Sequence, residues 1–210
     1  MAKEETLPQP VSTMTPAQLE RRRRLTDTVI EMIDQMGPEQ LQMRDVAERS
    51  GVALGTAYRY FSSKDHLLAA AWADWQRRLT DRVRAEVSRD ASRNRSAPGG
   101  ACTRVLSFLS RETRAFQRHP NFARLVAYVE VSGDPFASEE LAGLRSDNYA
   151  TLMALMEGVP ADVVRPAMTA INATLGSGLT AWICGRLTFA DFSRQLEEVV
   201  RLILGPYDEA

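Results

Sequence analysis

The side chains with chemistry to offer are cations and hydroxyls crowded into one stretch of the chain. Arg21, Arg22, Arg23 and Arg24 stand in a row. Residues 54–61 then carry Thr56, Tyr58, Arg59 and Tyr60 within barely two helical turns, and Lys64 follows at the start of another helix. Such donors on a helix surface suit phosphate oxygens, and a lysine in a helix's first turn adds its charge to the positive end of the helix. A run of arginines also fits a merely solvated face. Beside a helix so rich in donors, phosphate contact is the preferred reading. Groups for catalysis are not brought together in the same way. His66 and His119 are far apart, and His119 precedes Pro120. Glu139-Glu140 and Glu197-Glu198 are adjacent, so on a helix each pair diverges. No nucleophile elbow, zinc-protease motif or glycine-rich phosphate loop is present. Cys102 and Cys184 have neither metal nor redox spacing. No enzymatic activity, cofactor or metal is expected.

Two short helices must hold these donors. Val46 and Ala47 give residues 43–49 an apolar side, and Arg44, Asp45, Glu48 and Arg49 a polar one. Ser50-Gly51 ends that segment, since glycine accepts the left-handed conformation of a helix C-terminus. The second segment covers 54–61. Ala47 is small where the helices cross, and Val52 and Ala57 fill the gap between them. Two short helices joined by a three- or four-residue turn with a glycine form the helix-turn-helix pattern, whose second helix enters the DNA major groove. The alternative is three packed helices of some other all-helical protein, with the aromatic residues as core.

Composition neither adds to this nor opposes it. The 210 residues are 44% hydrophobic and 25% charged, ordinary for a globular protein able to build a core unaided. A net charge of −1 gives no global nucleic-acid signal, so binding must rest on local placement of charge. The widely spaced cysteines suggest a reduced, cytosolic compartment. No long apolar run predicts a membrane span or a signal peptide.

The fold class expected is all-α, with about nine helices. Residues 1–14, polar with two prolines, read as a disordered arm. The helix-turn-helix domain is expected over 15–64, and a helical effector-binding and dimerisation domain over 65–210. Thr15-Pro16 starts a first helix, and Gly37-Pro38 stops it. Ser63 caps a long helix from Lys64 to about residue 89, able to join head to body. Residues 88–100 read as a linker. Helices follow over 101–118, 122–131, 137–157, 162–186 (capped by Asp162) and 189–204. The segment 171–182 is apolar nearly all round and holds Gly176 and Gly178, which cost helix propensity and permit close approach. A homodimer through the last two long helices explains both features; a core helix in a monomer is the alternative. Trp72, Trp75, Phe108, Phe116, Phe122, Tyr128, Met153, Met156 and Met168 could line an apolar cavity, with Thr169 and Asn172 as polar anchors. Plain core is the alternative for that set.

The run Gln42-Met43-Arg44-Asp45-Val46-Ala47, then Gly55-Thr56-Ala57-Tyr58-Arg59-Tyr60-Phe61, then Lys64, resembles the DNA-binding segment of the TetR family of bacterial regulators. The likeness spans residues 17–68. It implies an all-helical homodimer that binds double-stranded DNA at a palindromic operator and represses. It also implies a small apolar effector in the body that alters the spacing of the heads and releases DNA. Carried over by position, Arg44, Gly55, Thr56, Tyr58, Tyr60 and Lys64 would contact DNA, with Gln42 at a helix cap. Gln42 stands where the family often has Ser or Thr, and Ala57 where it often has a larger apolar residue. The stretches QMRDVAERSGVALGTAYRYFSSKDHLL, RAFQRHPNFARLVAYV and AWICGRLTFADFSRQLEEVVRLILG further resemble the actinobacterial regulators of steroid catabolism, the KstR type, most strongly in the first. That likeness implies a bulky steroid-derived acid or its CoA thioester as effector. The rival expectations are a regulator whose body only dimerises, and a helical enzyme or interaction module.

Overall fold

The computed structural model describes residues 7–94 and 99–208. Among these residues are nine α-helices and two short 3-10 turns, and no strand. The helices are α1 (Pro16–Met36), α2 (Met43–Ser50), α3 (Leu54–Tyr60), α4 (Lys64–Asn94), α5 (Ala101–Arg118), α6 (Pro120–Glu130), α7 (Pro135–Leu155), α8 (Ala161–Ile183) and α9 (Phe189–Leu204). The chain divides into two compact units. The first holds Met1–Gln76 with Arg124–Gly143, and the second holds Arg77–Ala123 with Leu144–Ala210.

In the first unit, α1 opens with a reciprocal cap. The Gln18 N–H donates to Thr15 Oγ1 and the Thr15 N–H to Gln18 Oε1. The helix buries Leu25, Val29, Met32 and Ile33 and ends at Gly37, whose φ is 82°. Ser63 caps α4 as expected, accepting the His66 N–H at 3.0 Å. Three expectations are corrected here. Residues 7–14 are not a free arm: the Gln9 N–H donates to the Arg59 carbonyl at 2.9 Å, Val11–Thr13 make a 3-10 turn, and Met14 is buried. Residues 1–6 lie outside the described residues. The linker does not begin at residue 88, because α4 continues to Asn94 through a stretch with no glycine or proline to stop it. The first compact unit also runs past residue 64, where the helix-turn-helix domain was expected to end. Residues 124–143 belong with it because Asp65 accepts hydrogen bonds from Ser132 Oγ at 2.6 Å and Tyr128 Oη at 3.2 Å.

In the second unit, α9 packs on α8 and α5 through Phe192, Leu196, Val200 and Leu204, an apolar residue every fourth position. Trp182, Phe189 and Phe192 meet edge to face, with centroids 5.2 and 5.8 Å apart. Gly178 lies against the Phe192 ring, where a methyl group would overlap it. Gly176 has open space at its Cβ position. So the two glycines have different reasons, and the close approach at Gly178 is made within one chain. The N-cap of α8 is Pro160, with Asp162 in the first turn rather than at the cap. Gly100 caps α5 without a side chain, and Asp208 supplies the acceptor instead, taking the Thr103 N–H at 3.0 Å and Thr103 Oγ1 at 2.8 Å. Arg104 donates to the carbonyls of Leu155 and Glu157, which close α7.

Gly178→Ala should therefore lower stability by about 1–3 kcal/mol, since the Phe192 ring must leave its site. Thermal unfolding of the purified chain reads this as a drop in Tm.

Candidate nucleic-acid interface

The reading unit is set by the end of α2. Gly51 sits at φ 66° and ψ 25°, in the left-handed region. Its N–H donates to the Glu48 carbonyl at 3.2 Å and the Val52 N–H to the Ala47 carbonyl at 3.1 Å. This is the paired closure of a Schellman motif, completed by burial of Val52 and Ala47. A Cβ on Gly51 would meet nothing, so the demand for glycine is conformational rather than steric.

The turn sends α3 across α2 with one face inward. Ala57, Tyr60 and Phe61 are buried at 0%, 1% and 0% exposure. Leu54, Gly55, Tyr58 and Arg59 face outward, and Thr56 is half-buried on the flank. Tyr60 thus departs from the expected set of DNA contacts. Positions 57, 60 and 61 share the helix face that packs on the head, so its ring is core. Its hydroxyl is buried without a hydrogen-bond partner.

The cations sort themselves by their partners. Arg44 is 83% exposed, 4.0 Å from Asp45. Arg21 and Arg24 are exposed. Arg23 is exposed but engaged by Glu20 and Asp27; the hydrogen bond to Glu20 raises its pKa, and the same bond lowers that of Glu20. Arg22 turns inward. It pairs with Glu140 at 2.5 Å, and its guanidinium lies 4.8 Å from the centre of the Phe61 ring. It therefore departs from the phosphate contact expected of residues 21–24. Lys64 is half-buried, donating to the Pro38 carbonyl at 3.3 Å with its ammonium 5.0 Å from the Tyr128 ring. Gln42 precedes α2 exposed and makes no side-chain cap bond.

A polar cluster fastens the exit of α3. One oxygen of Asp134 accepts from Ser63 Oγ at 2.6 Å and Ser62 Oγ at 3.2 Å, and the other from the Phe136 and Ala137 N–H groups. Burial pushes this carboxyl up, but the bonds from Ser63, Ala137, Phe136 and Ser62 outweigh it and hold the pKa below the usual carboxylate value. His66 is buried beside it, stacked on Phe136 at 5.5 Å and accepting the Ser62 N–H at 3.2 Å. None of this was readable in the sequence, because Asp134 and Glu140 lie some seventy to more than a hundred positions from their partners. Arg59 was named among the donors of this stretch but not among the expected DNA contacts. It stood inside the quoted motif, and only the outward face of α3 separates it from its buried neighbour.

The residues expected to line an effector cavity come from both units. Trp72, Trp75 and Tyr128 belong to the first unit, with the two indoles stacked at 5.5 Å. Phe108, Phe116, Phe122, Met156 and Met168 are core of the second. Met153, Thr169 and Asn172 are exposed, so they do not line the interior of the chain; the Thr169 hydroxyl bonds the Arg165 carbonyl. The second unit has a cleft of about 430 Å³ between α5 and α9, and another of about 290 Å³ between α4 and α7. None of the eleven residues lines either cleft.

The family model of bacterial regulatory proteins, tetR family, matches residues 25–71, which cover most of α1 and all of α2 and α3. The HTH-type transcriptional repressor KstR of Mycobacterium tuberculosis is 35% identical over 200 residues, covering 92% of this chain and 85% of its own length. The chain belongs to the TetR family. KstR of Rhodococcus jostii is 34% identical over 90% of this chain and 85% of its own length. Among solved structures, a TetR transcriptional regulator from Rhodococcus sp. RHA1 superposes with a TM-score of 0.71 at 22% identity, covering 91% of this chain and 98% of that one. FadR from Bacillus subtilis, solved in complex with stearoyl-CoA, superposes at 0.63 with 18% identity, over 87% of this chain and 97% of that one. This TetR-family chain is a DNA-binding transcriptional regulator, and its named relatives are repressors rather than enzymes. Among its described residues no helix is long and apolar enough to cross a membrane.

Two mutational outcomes follow from the sorting of α3. Tyr58→Ala should weaken DNA binding and leave the melting temperature within about a degree or two, as exposed substitutions do. Tyr60→Ala should instead cost about 3–5 kcal/mol by opening the core. Paired gel-shift and thermal-unfolding measurements check both. The Asp134 bonds stabilise the head only while the carboxyl is ionised. Wild-type stability should fall as pH drops through and below the ordinary carboxylate value near 3.9. Asp134→Asn should be less stable than wild type at pH 7, with the difference shrinking toward pH 3 in acid-unfolding curves.

Proposed function

We propose that this chain is a homodimeric repressor that binds a palindromic operator and is released from it by an apolar small molecule, acting in the cytoplasm. The observation that carries the reading is the outward stripe of α3, set by the Gly51 turn, together with the exposure of Arg21 and Arg24 on α1 and Arg44 on α2. A helix of this kind reads base edges from the major groove while the flanking arginines hold phosphates. Arg44, Gly55, Thr56 and Tyr58 are the contacts assigned, with Gln42 beside them. Lys64 reaches a phosphate only by leaving Pro38.

Dimerisation through α8 and α9 is supported by what the chain leaves uncovered there. Leu202 on α9 is 81% exposed, and a Cβ at Gly176 on α8 would meet no neighbouring atom. Two symmetric heads match a two-fold operator whose half-sites lie one or more helical turns apart. For the effector, likeness to KstR supports a steroid-derived acid or its CoA thioester, and the stearoyl-CoA held by the FadR neighbour supports the thioester class. A regulator whose body only dimerises is the second reading. It is favoured by the placement of Met153, Thr169 and Asn172 on the surface.

A gel shift with the DNA upstream of the chain's own gene tests the operator; failure to bind any palindrome at low salt, with a folded dimer present, overturns the reading. Leu202→Glu should shift the chain from dimer to monomer in light scattering and weaken operator binding with it. Steroid-acid CoA thioesters should raise the melting temperature and dissociate the complex, with about 2.7 kcal/mol gained at a hundredfold excess over Kd. No shift with any thioester or acid favours the second reading.

A further inference from the structure

The outward stripe of α3 holds one charged residue, Arg59, and the geometry points to it as the residue that reads a guanine in each operator half-site. The inference rests on the operator-binding reading above and adds the base that is recognised and the side chain that recognises it.

Arg59 shares with Arg21 and Arg24 an exposed position without an ion pair among the described residues, and of these three it alone stands on α3. Arg22 is paired with Glu140, Arg23 with Glu20 and Asp27, and Arg49 with Glu31 and Gln35. Arg59 is exposed and makes no ion pair among the described residues. Its guanidinium lies 5.4 Å from the centre of the Tyr60 ring, and that ring is fixed by burial. The aromatic face thus supports the planar group from one side without neutralising it. The main chain beneath it is also held. The Arg59 carbonyl accepts the Gln9 N–H at 2.9 Å, and the Gln9 side chain exchanges amide hydrogen bonds with Gln18 at 3.1 and 3.4 Å. Gln18 is itself locked into the cap of α1. A charged fork on a pinned backbone loses little freedom when it docks.

The chemistry of the groove then selects the base. In the major groove only guanine offers two acceptors side by side, O6 and N7, which match the two parallel N–H donors of a guanidinium. The neighbours on the stripe, Leu54 and Tyr58, are 38% and 46% exposed and supply apolar surface and one hydroxyl. They suit a thymine methyl and a phosphate rather than a second guanine. Gly55 carries no side chain between them, leaving room for the backbone to approach.

The test uses the full chain and duplexes with a randomised core of about 20 base pairs, selected on the wild type. Arg59→Ala should lose about tenfold to a hundredfold in affinity for the selected operator. It should lose little for the operator with that guanine replaced, so that preference flattens at one base pair per half-site. Arg59→Lys, which keeps the charge but not the fork, should behave more like Arg59→Ala than like wild type at that position. Replacing the guanine with 7-deazaguanine removes the N7 acceptor alone. It should weaken wild-type binding and leave the Arg59→Ala complex unchanged, an arm that needs no variant to fold for its wild-type half. The assignment is overturned if Arg59→Ala and Arg59→Lys keep the base preference, or if Arg59→Ala weakens every duplex alike and lowers the salt slope by about one, the signature of a phosphate contact. Wild-type protein that enriches no sequence overturns the operator reading itself. Enrichment with unchanged preference in the variants overturns Arg59 alone.

Discussion

The geometry of the head depends on one backbone conformation, the left-handed residue at Gly51. It lets the Gly51 and Val52 amides close α2 and turns the chain so that α3 crosses it after three residues. Any other L residue would meet no clash there and would still be strained at φ 66°, because the cost lies in its own backbone. Once the turn is set, the face of α3 that packs inward is determined by small and aromatic residues. Ala57 admits the crossing, and Tyr60 and Phe61 seal it. The outward stripe is what remains, so recognition is a by-product of packing.

Charge in the head is a matter of which arginines are left unpaired. Over residues 15–64 cations and carboxylates nearly balance, and a near-neutral domain cannot bind a polyanion through net charge. The structure resolves this by committing part of the cationic set internally. Arg22 and Lys64 hold the head together with Glu140, Phe61, Pro38 and Tyr128, while Arg21, Arg24, Arg44 and Arg59 remain outside. Ser62, Ser63 and Asp65 fasten the start of α4 to Asp134, Tyr128 and Ser132. These bonds lie at the exit of α3, so they also limit how α3 can tilt.

The second unit shows the same economy of small residues in service of a ring. Gly178 exists for Phe192, whereas at Gly176 no described residue stands where a side chain would begin. Asp208 and Arg104 satisfy helix ends that have no caps of their own. This explains how α5 starts at a glycine and α7 ends on bare carbonyls without loss of order.

Most of the elements were legible in the chain itself. Apolar periodicity, Thr15-Pro16, Gly37, Gly51 and Ser63 are local signals, and a helix is closed by bonds among residues four apart. The helix-turn-helix and its family were legible for the same reason, since a tight turn dictates residue types at fixed short spacings. What the sequence could not decide was the side each residue took. Tyr58 and Tyr60 are two positions apart and chemically alike, yet one is outside and the other is core. Residues 7–14 looked like a loose arm until the Gln9 amide found the Arg59 carbonyl. The expected effector set was grouped by residue type, which does not tell surface from interior: Met153, Thr169 and Asn172 stand at the surface, whereas the others are buried or, for Tyr128, half-buried. The sequence by itself determined that the chain is helical, where most of its helices begin and end, and that one pair forms a helix-turn-helix, because those depend on local backbone chemistry. Tertiary structure alone decided which arginines are free to act and which hold the head together, because that depends on partners more than a hundred residues away, as Arg22 and Glu140 show.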